Sequence, residues 1–566
     1  MNGAESILKT LENFSVSHVF GLVGETSFPL YESWESYPNI KHISGRDERN
    51  VAIMADGFSR AGTKPGVCEV PGVGASYAIP GIIEAYRSGV PLIVLSSDVS
   101  TDSIKKNYLT EYDKSLLFSG ITKEFININT GKDIPRLLRR AFRVATTGKM
   151  GPVFVNFPVN VYSEEVDPAE LYGQREFSVY PSLRPSPDDG SLKEVLKLIN
   201  KSSFPLIVCG QGVILSHAEQ EVYQLAKILQ VPVGTTMSGK GAFPEDDPLS
   251  IGVIGSRGGT DFSNAVADKA DLVFFIGTNT DSASTYRWKY PPLRKKERVV
   301  IHLDISEAEL GNNYPTDVFL YGDAKATLSR MIKMALKEGG KRERPNLSKE
   351  RLKLDKNIDE LSKLDTKFVN PLLLVKNLEN LVPEDSVIVS DPGTGAIYLS
   401  AYFKAKKPKR KFIFNYSIGA LGFSLPASIG AFYATGKKVV CLTTDGNFAF
   451  FEGELETVKR YNMDIKIIII NNGSFGWIRA AMLADNGKIL AGTEFYDVDY
   501  SKIAAGYGLK FDRVEKNSEV LEKLTNSLTQ DGPTLTEVFT LSEDRLLPPV
   551  PEWKTIAEKF AIRYMG

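Results

Sequence analysis

Two short apolar runs in the last third of the chain constrain its fold more than any other feature. Residues 438–442 and 464–470 have the composition and length of strands, and residues 450–460 between them have helical spacing. This order predicts a βαβ unit, whose two strands run parallel and open their carboxyl ends at the same edge of a sheet. Asp445 and Asn472, which follow the two strands, are therefore expected to lie close together.

The polar side chains at these strand ends predict a cation site. A carboxylate from Asp445, an amide oxygen from Asn472, a loop carbonyl and phosphate oxygens form an all-oxygen shell suited to Mg²⁺ or Ca²⁺. Asp-Gly and Asn-Gly are also strong turn dipeptides in any protein. From these residues alone, two ordinary turns are an equal alternative.

Composition argues against several classes of function. With 566 residues, 42% of them hydrophobic, and a formal net charge of −1, the chain can bury several cores but offers no global field for nucleic acid or a membrane. No apolar run approaches membrane-spanning length, and residues 1–14 predict a charged amphipathic helix rather than a signal peptide. We expect a cytoplasmic protein. The cysteines predict buried, reduced thiols: Cys68, Cys209 and Cys441.

Two segments divide the chain into three parts. Residues 164–191 lose apolar periodicity and gather prolines, and residues 337–356 are charged and contain a Gly-Gly pair. Strand-like and helical runs alternate in each part, which predicts an α/β protein of three open, mostly parallel sheets with helices on both faces. The predicted units are an N-terminal domain (1–165), a central domain (190–336), a C-terminal domain (360–545) and a tail (546–566).

A second polar motif lies near the N-terminus. Glu48 stands at the start of a helical segment that ends at Arg60, and a glycine turn with Gly72 and Gly74 follows the next strand. Glycines at such a turn let the backbone approach a flat ring. An acid in the first turn of a surface helix is also favoured by the helix dipole alone, and a Gly-x-Gly turn by itself is weak evidence of a site.

In this order the motifs resemble the thiamine diphosphate-dependent acetolactate synthase and pyruvate decarboxylase superfamily, from about Glu5 to Leu546. In that family a Gly-Asp-Gly turn is followed, fewer than thirty residues later, by a paired Asn, as Asp445 is by Asn472. Thr444 departs from the pattern, which has Gly there. The resemblance implies that Asp445, Asn472 and the Ser474 carbonyl ligate Mg²⁺, and that Gly446 and Asn447 donate backbone N–H groups to the diphosphate.

The resemblance also assigns the remaining cofactor contacts. Glu48 would donate a hydrogen bond to N1′ of the aminopyrimidine and so promote loss of the C2 proton. The Gly419 carbonyl would face the aminopyrimidine, and Leu421 would wedge between the two rings. The other implied contacts are the turns with Gly72 and Gly74 in the N-terminal domain and with Thr394 and Gly395 in the C-terminal domain.

The substrate is predicted less sharply. The resemblance implies decarboxylation of a 2-oxoacid followed by carboligation of the acetolactate synthase type, with Trp477 and Ile478 at the substrate cavity. Ala481 replaces the substrate-restricting Trp of those synthases, and Leu109-Thr110-Glu111 replaces their Phe-Gln-Glu. Glu25 aligns with the proton-relaying acid of decarboxylases, so an aldehyde-releasing decarboxylase or another carbon–carbon lyase of the superfamily is the alternative.

Three further expectations concern cofactors and partners. The central turns at residues 209–213 and 277–281 occupy the places where relatives hold FAD, but Asn279 replaces the usual arginine, so FAD is not favoured. The family places Glu48 of one subunit against the diphosphate of another, which implies a homodimer or homotetramer. The basic run 404–411 lacks an aromatic platform and is interpreted as a loop rather than a nucleic-acid site.

Overall fold

The computed structural model describes residues 1–292, 298–338, 343, 345–406 and 411–566. Within these ranges the chain forms three six-stranded sheets and one two-stranded sheet. It falls into two compact units, each discontinuous in sequence. The first comprises Met1–Leu183, Asn415–Val439 and Phe450–Ile465, and the second comprises Arg184–Phe414, Val440–Ala449 and Lys466–Gly566.

The first sheet lies in the N-terminal part of the chain and has the strand order β2-β1-β3-β4-β6-β5. All five strand pairs are parallel. Its strands are β1 (His18–Gly21), β2 (Lys41–Ser44), β3 (Gly66–Val70), β4 (Leu92–Asp98), β5 (Glu124–Asn127) and β6 (Pro152–Pro158). Its helices are α1 (Gly3–Asn13), α2 (Phe28–Trp34), α3 (Glu48–Ala61), α4 (Ile79–Ser88), α5 (Lys114–Phe118) and α6 (Ile134–Thr146).

The second sheet has the order β12-β11-β10-β7-β8-β9, and its five pairs are also parallel. Its strands are β7 (Pro205–Cys209), β8 (Val233–Thr235), β9 (Ser250–Val253), β10 (Leu272–Ile276), β11 (Val299–Asp304) and β12 (Val318–Tyr321). Its helices are α7 (Asp189–Lys201), α8 (Gln211–Leu215), α9 (Glu219–Leu229), α10 (Asp261–Lys269) and α11 (Ala324–Glu338). Apolar side chains of these elements form two core clusters, one with Ile207 and Cys209 of β7 and the other with Leu206 and Val208.

The third sheet has the order β14-β13-β15-β16-β18-β17. Its strands are β13 (Val387–Ser390), β14 (Lys411–Phe414), β15 (Val439–Thr444), β16 (Ile465–Asn471), β17 (Lys510–Val514) and β18 (Thr534–Phe539). The helices of this region are α12 (Ser348–Ser362), α13 (Pro371–Leu381), α14 (Thr394–Tyr402), α15 (Ser424–Thr435), α16 (Asp445–Phe448), α17 (Glu454–Arg460), α18 (Gly476–Asn486), α19 (Tyr500–Gly506) and α20 (Val520–Thr529). The tail adds β19 (Leu546–Leu547), α21 (Lys554–Phe560) and β20 (Arg563–Tyr564).

The burial of the strands explains why the three sheets could be predicted from the sequence. Strands that are covered on both faces have mostly apolar sequences, and every residue of β6 and β16 is buried. The predicted class, three open parallel-sheet regions of an α/β protein, is confirmed. Among the described residues no disulfide forms, and the three cysteines are buried, as predicted.

Within the first unit, α15 packs directly on α3 through two glycines. A Cβ on Gly57 would lie 2.2 Å from the Ala427 carbonyl oxygen, and one on Gly430 would lie 1.9 Å from the Met54 carbonyl oxygen. No larger residue fits at either position without moving a helix backbone. Two segments far apart in sequence therefore form one rigid piece of the first unit.

Two local expectations differ from the structure. The predicted linker 337–356 is helical from Ser348, where α12 begins, because charged residues with high helix propensity read as a solvated loop. The helix expected at residues 450–460 starts later, at Glu454, and the shorter α16 precedes it. Among the described residues, no helix is both long and apolar enough to cross a membrane.

Candidate active site

Asp445 is the central candidate residue of the second unit. It begins α16 directly after β15, and its side chain is only 5% exposed. One carboxylate oxygen, Oδ2, accepts a hydrogen bond from the Gly473 N–H at 2.8 Å. The other, Oδ1, is buried and has no hydrogen-bond partner among the described residues. Burial raises the pKa of this carboxyl to about 7, although nearby backbone N–H groups act in the opposite direction.

Asn472 lies beside Asp445, as the parallel topology of the sheet predicts. It follows β16, and Gly473 next to it supplies the N–H that reaches Asp445. The amide oxygen of Asn472 accepts from the backbone N–H of Ser474 at 3.0 Å and from its hydroxyl at 3.1 Å. Gly473 adopts φ +68°, so the tight turn requires a glycine there.

Thr444 closes the turn that glycine usually forms in the resembled motif. Its backbone is extended, at φ −117° and ψ 161°, so no left-handed conformation is needed. Its hydroxyl oxygen instead caps α16 by accepting from the side-chain N–H of Asn447 at 2.8 Å and, at 3.4 Å, from that residue's backbone N–H. The departure at Thr444 therefore exchanges backbone freedom for a side-chain cap and leaves Asp445 in place.

The neighbouring turn residues have tight surroundings. Asn447 donates its other side-chain hydrogen to the Pro392 carbonyl at 3.1 Å, which ties α16 to the turn after β13. A Cβ on Gly446 would lie 3.1 Å from the Phe475 ring. The backbone N–H of Asn447 is directed to Thr444 and the side chain to Pro392, so both groups of Asn447 already have partners within the chain.

Thr394 and Gly395 open α14, after the Gly393 turn at φ +122°. The hydroxyl of Thr394 donates a hydrogen bond to Glu543 Oε1, and a Cβ on Gly395 would lie 2.8 Å from Leu442 Cδ2. The backbone at this helix start, rather than the Thr394 hydroxyl, is therefore the part available to a phosphate.

Glu543 is the residue of this region that sequence reasoning missed. Its side chain is 3% exposed, and it also accepts a hydrogen bond from the Asn472 side-chain amide at 2.9 Å. Burial, with a smaller contribution from the charge of Asp445, raises the pKa of Glu543 to about 8. One signal could have pointed to it: it follows β18, the sheet neighbour of β16, so its position opens on the same sheet edge as Asn472.

These donor atoms fit a hard divalent cation. Asp445 Oδ1 is a buried acceptor that no described group satisfies, and the Asn472 amide oxygen is a second oxygen at the adjacent strand end. Carboxylate, amide and carbonyl oxygens are the ligand types that Mg²⁺ accepts, with phosphate oxygens completing its shell. The hydroxyl of Ser474 also contacts the Ser542 hydroxyl at 3.1 Å, so it can turn away from Asn472 when the amide oxygen is needed elsewhere.

Glu48 is the central candidate residue of the first unit. It is the first residue of α3, whose N-cap is Asp47, the acceptor of the Arg49 N–H at 2.8 Å. The side chain of Glu48 is half-buried, and burial raises its pKa. Gly74 leaves the space that the carboxylate occupies, because a Cβ there would lie 2.3 Å from Glu48 Oε1. The predicted glycine turn therefore accommodates the predicted activating acid.

Helix α4 anchors the loop that carries Gly419 and Leu421 through hydrogen bonds. Glu84 Oε2 accepts from the Ile418 N–H at 3.0 Å, and the hydroxyls of Ser88 and Ser417 are 2.7 Å apart. Gly419 adopts φ +71°, a conformation that glycine allows without strain, and Leu421 is half-buried. A buried ion cluster of Asp56, Arg60 and Glu84 fixes the base of this loop.

The other predicted residues of the first unit lie at its surface or in its turns. Glu25 begins a short 3-10 turn and is exposed. Gly72 opens a second 3-10 turn, and its N–H donates to the Ser97 hydroxyl at 3.4 Å. Glu111 lies in the segment 109–111, where the sequence differs from the resembled motif. Its carboxylate accepts a hydrogen bond from the backbone N–H of Tyr108 at 3.3 Å, a contact within its own loop.

A buried polar chain lies behind these turns. Tyr31 donates to Glu69 Oε2 at 2.9 Å, and its hydroxyl is 2.8 Å from His42 Nε2. Burial raises the pKa of Glu69 to about 8 and lowers that of His42 to about 4. At neutral pH a neutral His42 donates to the Tyr31 oxygen, and Tyr31 donates in turn to Glu69 Oε2.

This polar chain predicts a pH-dependent stability. Because the folded-state pKa of Glu69 lies above its unfolded value, its contribution to stability is complete below about pH 4.5 and is lost as pH rises through about 8. Between pH 7 and 9, where His42 stays neutral, we expect the native chain to lose about 1 kcal/mol of unfolding free energy that Glu69→Gln does not lose. Urea titrations at both pH values measure this difference. The exposed neighbour control Glu32→Gln should follow the native chain; an unchanged slope in Glu69→Gln contradicts the assignment.

The two predicted substrate residues begin α18. The Trp477 ring packs on Trp553 with centroids 4.4 Å apart, and the guanidinium of Arg257 lies 4.6 Å from the Trp477 ring centre. Ile478 is 45% exposed, and Ala481 is half-buried one turn further along the helix. Both residues are thus partly accessible at the start of this helix.

The central turns and the basic run complete the comparison with the sequence. Gly212 donates its N–H to the Gly277 carbonyl at 2.9 Å, so the two turns expected at a dinucleotide pack directly on each other. Within the basic run, residues 407–410 lie outside the described residues. Lys404 pairs with Asp355 at 2.8 Å and Lys406 with Glu379 at 3.3 Å, so these two lysines are engaged within the chain.

Comparison with known proteins defines the class. Three models of the thiamine pyrophosphate enzymes match: the N-terminal TPP binding domain over residues 1–117, the central domain over 192–331 and the C-terminal TPP binding domain over 391–538. The chain belongs to the family of thiamine pyrophosphate enzymes, and as a member it is a thiamine diphosphate-dependent enzyme.

The following relatives match nearly the whole chain, and each is named as an acetolactate synthase or its large subunit. The chain is 33% identical over 563 residues to a probable acetolactate synthase large subunit of Methanocaldococcus jannaschii, covering 97% of this chain and 94% of the relative. It is 29% identical over 570 residues to the acetolactate synthase large subunit of Lactococcus lactis, with the same coverage of 97% and 94%. The chloroplastic acetolactate synthase of Arabidopsis thaliana is 27% identical over 580 residues, covering 98% of this chain and 83% of that protein.

Proposed function

We propose that this chain uses thiamine diphosphate and Mg²⁺ to decarboxylate a 2-oxoacid and to join the remaining fragment to a second carbonyl compound, a carboligation of the acetolactate synthase type. The observation that carries the proposal is Asp445, a buried carboxylate with one oxygen held by Gly473 and the other without a described partner. A buried charge in this state is costly unless a cation neutralises it. The names of the whole-chain relatives support this choice of chemistry.

Each residue then has a defined task. Asp445, Asn472 and the Ser474 carbonyl hold Mg²⁺, while the backbone at Gly446 and at the start of α14 faces the diphosphate. Bound thiamine diphosphate supplies the electron sink for cleavage of the carbon–carbon bond.

In the first unit, Glu48 holds a proton at N1′ of the aminopyrimidine. Partial burial favours the neutral form of Glu48, the form that donates this hydrogen bond. The Gly419 carbonyl and the Leu421 side chain hold the ring system, and Glu84 anchors their loop through the Ile418 N–H.

The second candidate is decarboxylation that ends in release of an aldehyde. Ala481 is small and half-buried where acetolactate synthases carry a Trp, and Glu25 is an exposed acid beside the Gly24 turn. A roomier cavity and an acid able to deliver a proton favour protonation of the fragment over its addition to a second substrate.

We further propose a homodimer or homotetramer with Glu48 of one copy facing the metal site of another. Large apolar side chains are exposed on the first unit, and three of the described ones are at least 60% exposed. They are Leu109 at 83%, Leu116 at 81% and Tyr77 at 60%. Exposed apolar groups of this kind mark an interaction surface.

The native protein tests these proposals together. With thiamine diphosphate, Mg²⁺ and a panel of 2-oxoacids, we expect acetohydroxyacid products, identified by mass spectrometry, and a dimer or tetramer in sedimentation. Aldehyde as the sole product transfers the assignment to the decarboxylase, and absence of any CO₂ release contradicts both. The visible spectrum of the same preparation reports on FAD; because the sequence does not favour it, we expect no flavin absorbance.

A further inference from the structure

Glu543 joins the two strand ends that carry the cofactor ligands. It follows β18, and its carboxylate accepts from the Thr394 hydroxyl with one oxygen and from the Asn472 amide, at 2.9 Å, with the other. We propose that Glu543 is a positioning residue that turns the Asn472 amide so that its oxygen, rather than its nitrogen, faces the metal. The inference rests on the proposed function, because it concerns the same metal site.

The argument starts from the two ends of an amide. The side chain of Asn472 has a donor nitrogen and an acceptor oxygen of nearly equal size, so packing alone does not select its orientation. The two oxygens of Glu543 accept from two donors, the Thr394 hydroxyl and the Asn472 amide nitrogen, so the carboxyl group draws the nitrogen end of the amide towards itself. The oxygen end then points to the opposite side, where it accepts from the N–H and hydroxyl of Ser474.

The second oxygen of Glu543 fixes the turn after β13. The Thr394 hydroxyl is directed to Glu543, which leaves the backbone at the start of α14 to meet the diphosphate. A single carboxylate thus holds one donor from each of two strand ends. Outer groups of this kind orient metal ligands, and their loss typically lowers metal affinity about 10–100-fold.

The side chain of Glu543 is buried and tightly packed. A Cβ on Gly476, at the start of α18, would lie 1.7 Å from Glu543 Oε2, so only glycine leaves room for the carboxylate. Glu543 is 3% exposed, and water does not compete for its two donors. These constraints leave the carboxylate little freedom to move from Thr394 and Asn472.

A matched control is available, because Asn471, the residue before Asn472, also pairs with a buried glutamate. Asn471 donates its side-chain amide to the buried Glu537 at 2.8 Å, the same pairing that Asn472 makes with Glu543. The other oxygen of Glu537 accepts from Arg513 at 2.8 Å rather than from a group of the cofactor site. Glu537→Gln therefore alters an equivalent buried Glu–Asn pair that contains no predicted metal ligand, and whose amide oxygen accepts from the Gly473 N–H at 3.1 Å.

A competing role makes the opposite prediction. The donors that Glu543 holds, Thr394 and Asn472, are also groups expected near the diphosphate and the metal. If the carboxylate merely filled the place of the diphosphate, its removal would tighten cofactor binding. A positioning residue and a carboxylate that only occupies the diphosphate site therefore predict opposite changes in binding affinity when Glu543 is replaced.

The experiment compares the native chain with Glu543→Gln, Glu543→Asp and Glu537→Gln, each freed of metal. Glutamine has only one acceptor oxygen, and aspartate is too short to reach both donors. Calorimetric titration with Mg²⁺ at saturating thiamine diphosphate should give a Kd raised about 10–100-fold in both Glu543 variants and changed less than about twofold in Glu537→Gln. Excess Mg²⁺ should restore turnover to the Glu543 variants, and bound Mn²⁺ should show an altered electron paramagnetic resonance spectrum in them.

Circular dichroism and the Tm establish which variants are folded, and Glu543→Asp keeps the test available if Glu543→Gln does not fold. Unchanged or tighter Mg²⁺ binding in a folded Glu543 variant overturns the inference while leaving the proposed function intact. Equal weakening in Glu537→Gln overturns it as well, because the effect would then be structural. If the native chain binds neither Mg²⁺ nor thiamine diphosphate, the proposed function and this inference fail together.

Discussion

Replacing Glu48 by Gln is expected to lower turnover by about 10²–10⁴-fold, the usual contribution of a positioned acid–base group. Glutamine has nearly the same shape and fits beside Gly74, where the space for the side chain is already limited. It cannot, however, exchange the proton that the aminopyrimidine needs. The loss should therefore appear in kcat, with the Kd for thiamine diphosphate almost unchanged.

The measurement that isolates this step is the rate at which the C2 hydrogen of bound thiamine diphosphate exchanges with deuterated water, followed by NMR after acid quenching. Asp47→Asn is the matched control, because Asn retains the capping acceptor for the Arg49 N–H while removing the neighbouring charge. Exchange in this control should stay within a few-fold of the native rate. Native exchange in Glu48→Gln would remove Glu48 from its assigned role.

The fold could be predicted because its signals are local. Strands such as β6 and β16 are buried along their whole length, so the sequence shows a mostly apolar run followed by polar residues. Parallel topology then converts sequence order into spatial proximity, which is why Asp445 and Asn472 could be placed side by side. Helix α1 was similarly legible, since Asn2 and Glu5 form the capping box that starts it.

The rest of the site depends on contacts between distant segments. Glu543 lies 71 residues after Asn472 and carries no motif of its own, so only the adjacency of β16 and β18 shows that the two meet. The cap formed by Thr444 depends on a hydroxyl direction that composition does not encode. The same limit applies to α12, where charge density was interpreted as a loop although the residues form a regular helix.

Asp445→Asn should separate function from stability. The variant loses the charge that attracts Mg²⁺, so we expect the Mg²⁺ Kd to rise by at least about 100-fold, more than the change typical of outer-shell groups. In the cofactor-free chain the same substitution should stabilise. Burial raises the folded-state pKa of Asp445 to about 7, so ionisation costs the native state stability as pH rises from about 4 to about 7.

At pH 8 this cost is complete in the native chain and absent in the variant, which predicts a gain of about 1–4 kcal/mol in the free energy of unfolding without metal. Urea unfolding and calorimetric Mg²⁺ titration of the same samples measure both quantities. The exposed control Asp497→Asn should change neither. A variant that loses stability and keeps its Mg²⁺ affinity would identify Asp445 as a structural acid. Opposite changes in the two quantities are what a strained, functional carboxylate predicts, because its charge is unfavourable to the fold until a cation binds it.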